Sequence, residues 1–388
     1  MAYNILIAHG GGPTAVINSS LRGLIEAARG SGRVDRIYAA QFGAEGLLQN
    51  RLIDLTDIPA SETERLSFTP ASAIGSCRRR LCEADFPAVL DCLIKNEVKA
   101  FFYNGGNDSM DTCDKISRLI SREKLDIKVI GIPKTIDNDL DVTDHCPGYG
   151  SAARYAAICS SELALDASAL PIHVVVLELM GRNAGWITAA GALASRLTPC
   201  EQLVYLPELG VDMDGMLADI EDRYSRGRGL LVTVSEGLCD RSGRPLAETG
   251  VVDGFGHSVP GGTAQYISTQ IIERLKIKSR AEKPGLLGRT SMAYVSETDR
   301  REAYGVGRAA LDFALAGETG GMVAISADRA GGYTSDMFLT PLAAVANVEK
   351  KFPRGWIIDG NCVSEEFFDY ALPLLGGELP QYCNLRRY

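Results

Sequence analysis

Residues 133–139 carry a lysine, a threonine and two aspartates within one short segment, Pro-Lys-Thr-Ile-Asp-Asn-Asp. An aspartate can accept the proton of a hydroxyl group, a carboxylate oxygen can bind Mg²⁺, and a lysine can stabilise the charge on a departing phosphate. Lys134, Thr135, Asp137 and Asp139 therefore supply the groups that phosphoryl transfer requires. Two aspartates separated by one residue also occur commonly in turns without a catalytic role, so this segment alone leaves both interpretations open.

Glycine-rich turns come directly after three predicted strands. Glycine allows a ligand to approach the backbone closely, and a helix that begins beyond such a turn favours an anion. In an open α/β sheet, ligands bind at the carboxyl ends of the strands. One Gly-Gly turn is explained by chain reversal alone, whereas three at strand ends favour a ligand that carries phosphate. The turns are Gly10-Gly11-Gly12-Pro13, Gly105-Gly106 and the turn at Gly181.

These turns and the 133–139 segment must be held by alternating strands and helices. Short apolar runs predict strands, and apolar residues spaced three and four apart predict helices. Strands that alternate with helices indicate a parallel sheet, and uniformly apolar strands indicate helices on both faces. A glycine-rich loop at 250–262 interrupts this rhythm. The predicted strands are Tyr3–His9, 100–103, 127–132, His173–Leu179, Leu230–Ser235 and 322–326, and the predicted helices are 18–28, 111–120, 150–165 and 184–195.

Composition restricts the classes of protein to which the chain can belong. The 388 residues include 40 lysines and arginines against 49 aspartates and glutamates, and the net charge of −9 argues against general nucleic-acid binding. The ten cysteines form no CxxC pair, so neither a zinc cluster nor a disulfide framework is expected, and a reducing cytoplasm is the simplest setting. No apolar run reaches the roughly 18 residues of a membrane span, and the first residues do not resemble a signal peptide. The length predicts about two to three domains, or one large α/β unit.

Six motifs occur in an order that resembles the phosphofructokinase superfamily of bacteria and plants. Any one of them would be weak evidence, but together they are specific, and they extend from about residue 4 to about residue 325. The resemblance implies an α/β fold of two Rossmann-like, three-layer lobes with mainly parallel sheets and an active site between the lobes. It also implies Mg²⁺ as the cofactor. The motifs are Gly11-Gly12-Pro13 with Asn18, Gly105-Gly106-Asn107-Asp108-Ser109, the 133–139 segment, Met180-Gly181-Arg182-Asn183-Ala184-Gly185, Ser235-Glu236-Gly237, and Arg289 followed by Asp299-Arg300.

Two positions are similar to the branch of the family that uses pyrophosphate rather than ATP. Users of ATP resemble Gly-Gly-Asp-Gly-Ser at the second turn and have glycine before the Thr-Ile-Asp-Asn-Asp run, whereas this chain has Asp108 and Lys134 there. A carboxylate at position 108 would repel the α-phosphate of a nucleotide, and Lys134 would place a positive charge beside the leaving phosphate. The alternative is that Asp108 only caps a helix that begins at Asp111.

The resemblance also implies a role for each matching residue. Asp137 is similar to the base that takes the proton from the 1-hydroxyl of the sugar. Glu236 is similar to a carboxylate that accepts hydrogen bonds from sugar hydroxyls, and Arg289 is similar to an arginine that binds the 6-phosphate. Arg78 lies where the family has a donor-side arginine, although a basic run is commonly a solvated face. The implied catalytic residues are Asp108, Lys134, Asp137 and Arg182, the donor-binding residues are Gly11, Gly12 and Arg78, and the substrate-binding residues are Thr135, Ile136, Asp137, Met180, Gly181, Arg182, Glu236, Leu286 and Arg289.

Three residues depart from the family pattern. Asn107 replaces the usual aspartate and keeps an oxygen for Mg²⁺ without the charge, so Asp137 or Asp139 would carry more of the metal binding. Leu286 replaces a tyrosine or histidine, which removes a hydrogen bond to the sugar phosphate. His173 replaces an arginine and is either a contact to a neighbouring subunit or a histidine at a strand end. These changes leave a longer phosphosugar, such as sedoheptulose 7-phosphate, open as the substrate.

The implied activity is the reversible transfer of a phosphoryl group from pyrophosphate to fructose 6-phosphate in glycolysis. By analogy with the family, residues 1–140 with about 288–338 form the donor lobe, and residues 141–287 with about 339–388 form the sugar-phosphate lobe. The expected partners are these two small molecules and further copies of the chain, as a cytoplasmic homodimer or homotetramer, with no nucleic acid and no membrane. An ATP-dependent enzyme and a catalytically silent sugar-phosphate sensor are the alternatives. Asp108 argues against ATP, and the lysine and aspartates of 133–139 argue against a sensor.

Overall fold

Two compact units, each built from two segments of the sequence, make up the chain. A computed structural model describes residues 3–252, 258–383 and 385. The first unit consists of Met1–Tyr149 and Arg289–Lys350, and the second consists of Gly150–Gly288 and Lys351–Tyr388. Each unit therefore takes its core from two separate parts of the sequence.

Strands and helices alternate through most of the chain. The strands are β1 (Tyr3–His9), β2 (Val34–Ala40), β3 (Leu52–Asp54), β4 (Val98–Gly105), β5 (Lys128–Pro133), β6 (His173–Leu179), β7 (Glu201–Tyr205), β8 (Leu230–Ser235), β9 (Glu248–Val252), β10 (Ser258–Pro260), β11 (Lys278–Glu282), β12 (Gly321–Asp328), β13 (Thr334–Pro341), β14 (Ile357–Ile358) and β15 (Cys362–Val363). The α-helices are α1 (Ile17–Ser31), α2 (Ala44–Leu48), α3 (Ala60–Leu66), α4 (Phe86–Lys95), α5 (Asn107–Arg122), α6 (Tyr149–Ala169), α7 (Trp186–Gly191), α8 (Ala194–Leu197), α9 (Met213–Ser225), α10 (Thr263–Gln270), α11 (Leu287–Thr290), α12 (Glu297–Leu315), α13 (Leu342–Val345) and α14 (Glu365–Ala371). Among these described helices, none combines the length and the apolar character that crossing a membrane would need.

The first unit is built on a seven-stranded sheet in the order β13-β12-β5-β4-β1-β2-β3. The five central strands are parallel, and β13 and β3 run antiparallel at the edges. Leu6 and Phe101 lie in the apolar core on one face of the sheet, and their chain neighbours Ile5 and Phe102 lie in the core on the other face. Because both faces are covered, the middle of β1 and of β4, residues 5–8 and 100–103, is a continuous apolar run.

The second unit is built on a four-stranded parallel sheet in the order β11-β6-β8-β7. Strands β6 and β8 are buried throughout, and α9 and α10 contribute Ile220 and Ile267 to the core against them. The antiparallel pairs β9-β10 and β14-β15 are separate from this sheet. Strand β6 contains one carboxylate, Glu178, which is only 2% exposed and therefore needs a partner inside the unit.

The predicted elements occur, in several cases with shifted ends. Strands β1, β6 and β8 have the predicted bounds. The predicted helix 111–120 is the central part of α5, which begins at Asn107. The predicted helix 184–195 is divided into α7 and α8, because backbone hydrogen bonds between residues three apart tighten the turn at 192–193. Part of the predicted loop 250–262 forms the β9-β10 pair, and residues 253–257 lie outside the described residues.

The two units differ from the predicted lobes at two places. Residues 339–350 belong to the first unit, because β13 pairs with β12 over its full length and α13 packs on α5. Residues 141–149 also belong to it, and the Gly148 N–H donates to the Asp299 carboxylate at 2.8 Å.

A buried polar network connects the two segments of the first unit. The His145 ring lies between two carboxylates, with Nδ1 at 2.8 Å from Asp144 and Nε2 at 2.7 Å from Glu302. Arg329 donates two hydrogen bonds to Asp144, and the Tyr333 hydroxyl donates to Glu302 at 2.6 Å. Burial acts to lower the pKa of His145, but the two carboxylates outweigh it, and the pKa is raised. The two carboxylates therefore favour the imidazolium form of the ring.

Candidate active site

Residues 133–139, called the acidic loop here, follow β5 and are held by backbone hydrogen bonds. One amide of the loop donates to the carbonyl of Gly105, at the end of the neighbouring strand β4. Thr135 Oγ1 accepts from the Asp137 N–H at 3.0 Å. Asn138 is buried with φ at 55°, and its Oδ1 accepts from the Cys146 N–H at 2.9 Å. These bonds fix the direction in which the two aspartates of the loop point.

Lys134 is the central cation of this region. Its side chain is buried, and Nζ donates to the carbonyl of Gly12 at 2.8 Å. The pKa of Lys134 is lowered to about 8, mainly by burial, and the guanidinium groups of Arg289 and Arg78 act in the same direction. The two aspartates of the acidic loop act in the opposite direction. A protonated amine buried beside two other cations is a site for an anion.

The glycine turn after β1 leaves room for these cations. Gly11 has a φ of +76°, and its N–H donates to the carbonyl of Cys77 at 2.9 Å. A Cβ atom added at Gly12 would lie 2.6 Å from Arg289 Nη1 and 3.6 Å from Arg78 Nη2. Arg78 is thus an exposed residue whose guanidinium reaches the turn, and Arg289, expected at the sugar phosphate, also lies beside it.

One carboxylate oxygen of the acidic loop, Oδ1 of Asp139, is suited to bind a metal cation. Burial raises the pKa of Asp139 and Glu349 adds to this, whereas a hydrogen bond from Thr135 and the charge of Lys134 oppose it. Asp139 Oδ1 is buried, and among the described residues it has no hydrogen-bond partner. The described part of the chain contains no group of three or more histidine, cysteine, aspartate or glutamate side chains placed to hold a metal. Mg²⁺, which is commonly held by one or two carboxylates and substrate phosphates, fits Asp139 and Asp137.

Asn107, the predicted metal ligand, holds a neighbouring loop in this structure. Its Nδ2 donates to the carbonyl of Val348 at 2.5 Å, and its Oδ1 accepts from the Asn347 N–H at 2.8 Å. Asn347 in turn donates to Asp111 at 2.8 Å. Both ends of the amide are therefore engaged, and binding of Mg²⁺ by Asn107 stays a prediction.

Asp108 does not cap a helix that starts at Asp111. Helix α5 already begins at Asn107 with Gly106 as its N-cap, and no side chain caps it. Asp108 lies in the first turn, largely exposed, and its carboxylate forms an ion pair with Arg80. The charge predicted to repel a nucleotide is therefore presented at the start of α5, directly after the Gly105-Gly106 turn.

The second unit brings the predicted sugar-binding residues of two strand ends together. Gly181, with φ at +117°, follows β6, and its carbonyl accepts a hydrogen bond from the Ser235 hydroxyl at the end of β8. The Glu236 N–H donates to the Leu179 carbonyl at 3.0 Å. The backbone of the exposed Arg182 packs against Gly237, where a side chain would overlap it. Met180, Gly181, Arg182 and Glu236 thus share one edge of the sheet.

The remaining predicted residues have less specific surroundings. Ile136 is buried in the acidic loop. Leu286 is 63% exposed, and its aliphatic side chain offers no hydrogen bond to a phosphate. His173 is buried at the start of β6, with Nε2 at 3.8 Å from Asp166.

The sequence patterns do not indicate Glu178, Lys283, Arg80 or Asn347. One signal exists for Glu178, since a single carboxylate within the apolar strand β6 requires a buried partner. Arg80 and Asn347 give no such signal, because their partners lie 28 and 240 residues away in the sequence.

Comparison with known proteins identifies the family of the chain. Residues 4–314 match the family described as phosphofructokinase, and the chain belongs to this family. It is 38% identical to the pyrophosphate–fructose 6-phosphate 1-phosphotransferase of Xanthomonas campestris, over 97% of this chain and 92% of that protein. It is 39% identical to the protein of the same name from Methylococcus capsulatus, over 99% and 96% of the two chains. A crystal structure of the pyrophosphate-dependent phosphofructokinase from Marinobacter aquaeolei superimposes with a TM-score of 0.88 at 34% identity, over 98% and 94% of the chains.

Proposed function

We propose that the protein transfers a phosphoryl group from pyrophosphate to the 1-hydroxyl of fructose 6-phosphate, giving fructose 1,6-bisphosphate and phosphate in a reversible step of glycolysis. Relatives similar over nearly the whole chain carry the name of this activity. The observation that carries the proposal is the buried ammonium of Lys134 on the Gly12 carbonyl, next to the two aspartates of the acidic loop. Such a cation needs an anionic partner, and pyrophosphate supplies one without nucleoside contacts.

The chemistry follows from the groups that the two units present. Asp137 takes the proton of the sugar 1-hydroxyl, whose oxygen then bonds to the terminal phosphorus of pyrophosphate. The bond from that phosphorus to the bridging oxygen breaks, and Lys134 stabilises the charge on the leaving phosphate. Arg182 binds the sugar phosphate, Glu236 accepts hydrogen bonds from the sugar hydroxyls, and Arg289 binds the 6-phosphate.

Mg²⁺, when bound, neutralises charge on the oxygens of pyrophosphate. Asp139 is the residue best suited to hold it, because its buried Oδ1 has no hydrogen-bond partner among the described residues. Asp137 lies two residues away on the same loop, and the amide of Asn107 is engaged with the backbone at 347–348.

The choice of donor is tested by measuring turnover of fructose 6-phosphate with Mg²⁺ and either pyrophosphate or ATP. We expect turnover with pyrophosphate and at least about a hundredfold less with ATP, because the Asp108 carboxylate would repel the α-phosphate of a nucleotide, and one misplaced charge at a phosphate site typically changes rates by about that factor. Asp108→Gly should raise the ATP rate and lower the pyrophosphate rate. Asp108→Asn is the matched control, since it removes the charge and keeps the size. Comparable rates with both donors in the wild type would contradict the proposal.

Sedoheptulose 7-phosphate is a second candidate acceptor, favoured by one observation. Leu286 is exposed, and its aliphatic side chain has no polar group to offer a sugar phosphate, so the length of the sugar is less restricted. Comparing kcat/KM for the two sugar phosphates decides between them.

The cellular setting and the assembly are further parts of the proposal. An intermediate of glycolysis as substrate supports action in the cytoplasm, and the family resemblance supports a homodimer or homotetramer. Light scattering after size-exclusion chromatography measures the assembly directly.

A further inference from the structure

Glu178 is a buried carboxylate with two partners in the second unit. Its Oε2 accepts from the Ala264 N–H at 3.0 Å, in the first turn of α10. Its Oε1 forms an ion pair with Nζ of Lys283. Both oxygens are thus occupied, one by a helix terminus and one by a cation.

The strand pairing fixes the position of Lys283. Strand β11 pairs with β6 so that Glu282 lies opposite Leu177, and Lys283 is the next residue of the chain. The Lys283 ammonium therefore reaches Glu178 from a rigid sheet edge. Pairs of this kind differ from exposed ion pairs between flexible side chains, whose contribution is small.

The same ammonium acts on Glu236, the carboxylate assigned to the sugar hydroxyls. Strand β8 pairs with β6 on the side opposite β11, and Leu179 lies opposite Ser235, so Glu236 follows directly beyond that pair. Burial raises the pKa of Glu236, and Lys283 opposes this while Glu178 reinforces it. The Gly181 amide and Arg182 also favour the ionised form. A small cavity is lined by Glu178 together with Met180, Tyr155 and Pro284.

We propose that Lys283 is a positioning residue for the sugar, which holds Glu236 as an ionised hydrogen-bond acceptor by compensating the charge of the neighbouring buried Glu178. The inference rests on the proposed function, because it concerns the carboxylate that grips the sugar hydroxyls. Without Lys283, the charge of Glu178, which the Ala264 N–H continues to stabilise, is no longer compensated, and its repulsion raises the pKa of Glu236 further and favours the protonated form of Glu236. A protonated Glu236 accepts fewer hydrogen bonds and binds the sugar less well.

The test is the KM for fructose 6-phosphate between pH 6 and pH 9 in wild type and variants. Lys283→Met should raise KM about tenfold at pH 7, with kcat changed less than about threefold, because more of Glu236 is protonated and loss of a hydrogen bond to a charged acceptor lowers affinity by about this factor. The difference in KM between Lys283→Met and the wild type should disappear as the pH rises and Glu236 ionises. The sugar phosphate itself titrates near pH 6, so the ratio of variant to wild-type KM is the quantity compared.

Three further variants separate positioning from simple support of α10. Lys283→Arg keeps the charge and should restore the wild-type profile. Adding Glu178→Gln to Lys283→Met removes the competing carboxylate and should also restore it, although α10 loses its charged partner. Lys278→Met, on the same strand and exposed, is the matched control and should leave KM unchanged.

Direct titration of Glu236 distinguishes failure of this inference from failure of the proposed function. Carboxyl-carbon NMR, assigned with Glu236→Gln, should show a higher Glu236 pKa in Lys283→Met than in the wild type. An active wild type whose Lys283→Met variant keeps both the titration and the KM profile overturns the inference alone. A wild type that turns over no fructose 6-phosphate with pyrophosphate, while Glu236 still shifts, overturns the proposed function and the sugar role of Lys283 with it.

Discussion

Lys134 combines a catalytic charge with a lowered pKa, and this makes activity depend on pH. Its pKa of about 8 in the free protein means that the ammonium is lost as the pH rises through that value. We expect kcat/KM for pyrophosphate to fall above about pH 8, because kcat/KM reports the free enzyme. Lys134→Met should lower kcat by about a hundred- to a thousandfold and remove this limb of the profile. Lys95→Met, at the exposed end of α4, is the control, and it should keep both the wild-type kcat and the fall in kcat/KM above about pH 8.

The stability of the same variant should change in the opposite direction to its activity. Folding lowers the pKa of Lys134 from 10.5 to about 8, so the folded state binds fewer protons than the unfolded state between these two pH values. Below about pH 8 the buried ammonium is charged, and its burial destabilises the folded state. Lys134→Met should therefore unfold at a higher temperature at pH 7, as calorimetry would show. A lower unfolding temperature together with full activity would contradict the role given to this lysine.

At the scale of single residues, the sequence predicted the residues whose neighbours are close in the chain. Thr135 and Asp137 contact each other within the acidic loop, so their spacing indicated a candidate site, and the other motifs were needed to favour a catalytic role over a simple turn. The hydrogen bonds of Asn107 to Asn347 and Val348 depend on folding across more than 200 residues, and no local pattern indicates them.

At the scale of elements, the glycine turn after β1 depends on the absence of a side chain. A methyl group at Gly12 would overlap Nη1 of Arg289, but it would meet only the mobile end of that side chain. Gly12→Ala should therefore raise KM for fructose 6-phosphate about tenfold or more by displacing Arg289, with little change in unfolding temperature. Gly30→Ala, near the end of α1 with open space around it, is the control and should be neutral or slightly stabilising. Unchanged KM for fructose 6-phosphate in Gly12→Ala would show that the position of Arg289 beside this turn does not matter for binding the 6-phosphate.

Strands were predicted more accurately than helices for a physical reason. The central strands are buried on both faces, so their apolar runs have sharp ends, as in β6 and β8. Helix ends depend on backbone hydrogen bonds that composition does not reveal, and α7 and α8 are separated by a turn within one apolar segment.

At the scale of the whole molecule, the buried imidazolium of His145 makes the stability of the first unit depend on pH. Burial disfavours the charged form of all three groups, but the attraction between the His145 ring and the carboxylates of Asp144 and Glu302 is stronger. The pKa of His145 is therefore raised, and the pKa values of Asp144 and Glu302 are lowered. The histidine contribution is present below its ordinary pKa of about 6.5 and is lost as the pH rises through the higher folded value. The carboxylate contributions are present above their ordinary values near 4 and are lost as the pH falls.

We therefore expect the unfolding temperature to be highest between about pH 5 and pH 6.5. His145→Gln should cost about 3 kcal/mol of unfolding free energy at pH 6, since it leaves two buried carboxylates without their shared cation. The variant should also lose the decline in unfolding temperature above pH 6.5, which differential scanning calorimetry measures. An equal decline in both proteins would place the titrating group elsewhere.

The two-segment construction of the first unit has a consequence for its synthesis on the ribosome. Strand β5 pairs with β12, and helix α1 packs on α12, but both partners are encoded after the whole main segment of the second unit. At about 5–20 residues per second, the nascent chain waits about ten to forty seconds between β5 and β12 with one sheet edge and one apolar face uncovered. The second unit's Gly150–Gly288 segment emerges during that interval, so a chaperone that protects exposed β5 and α1 would matter most before the last hundred residues appear.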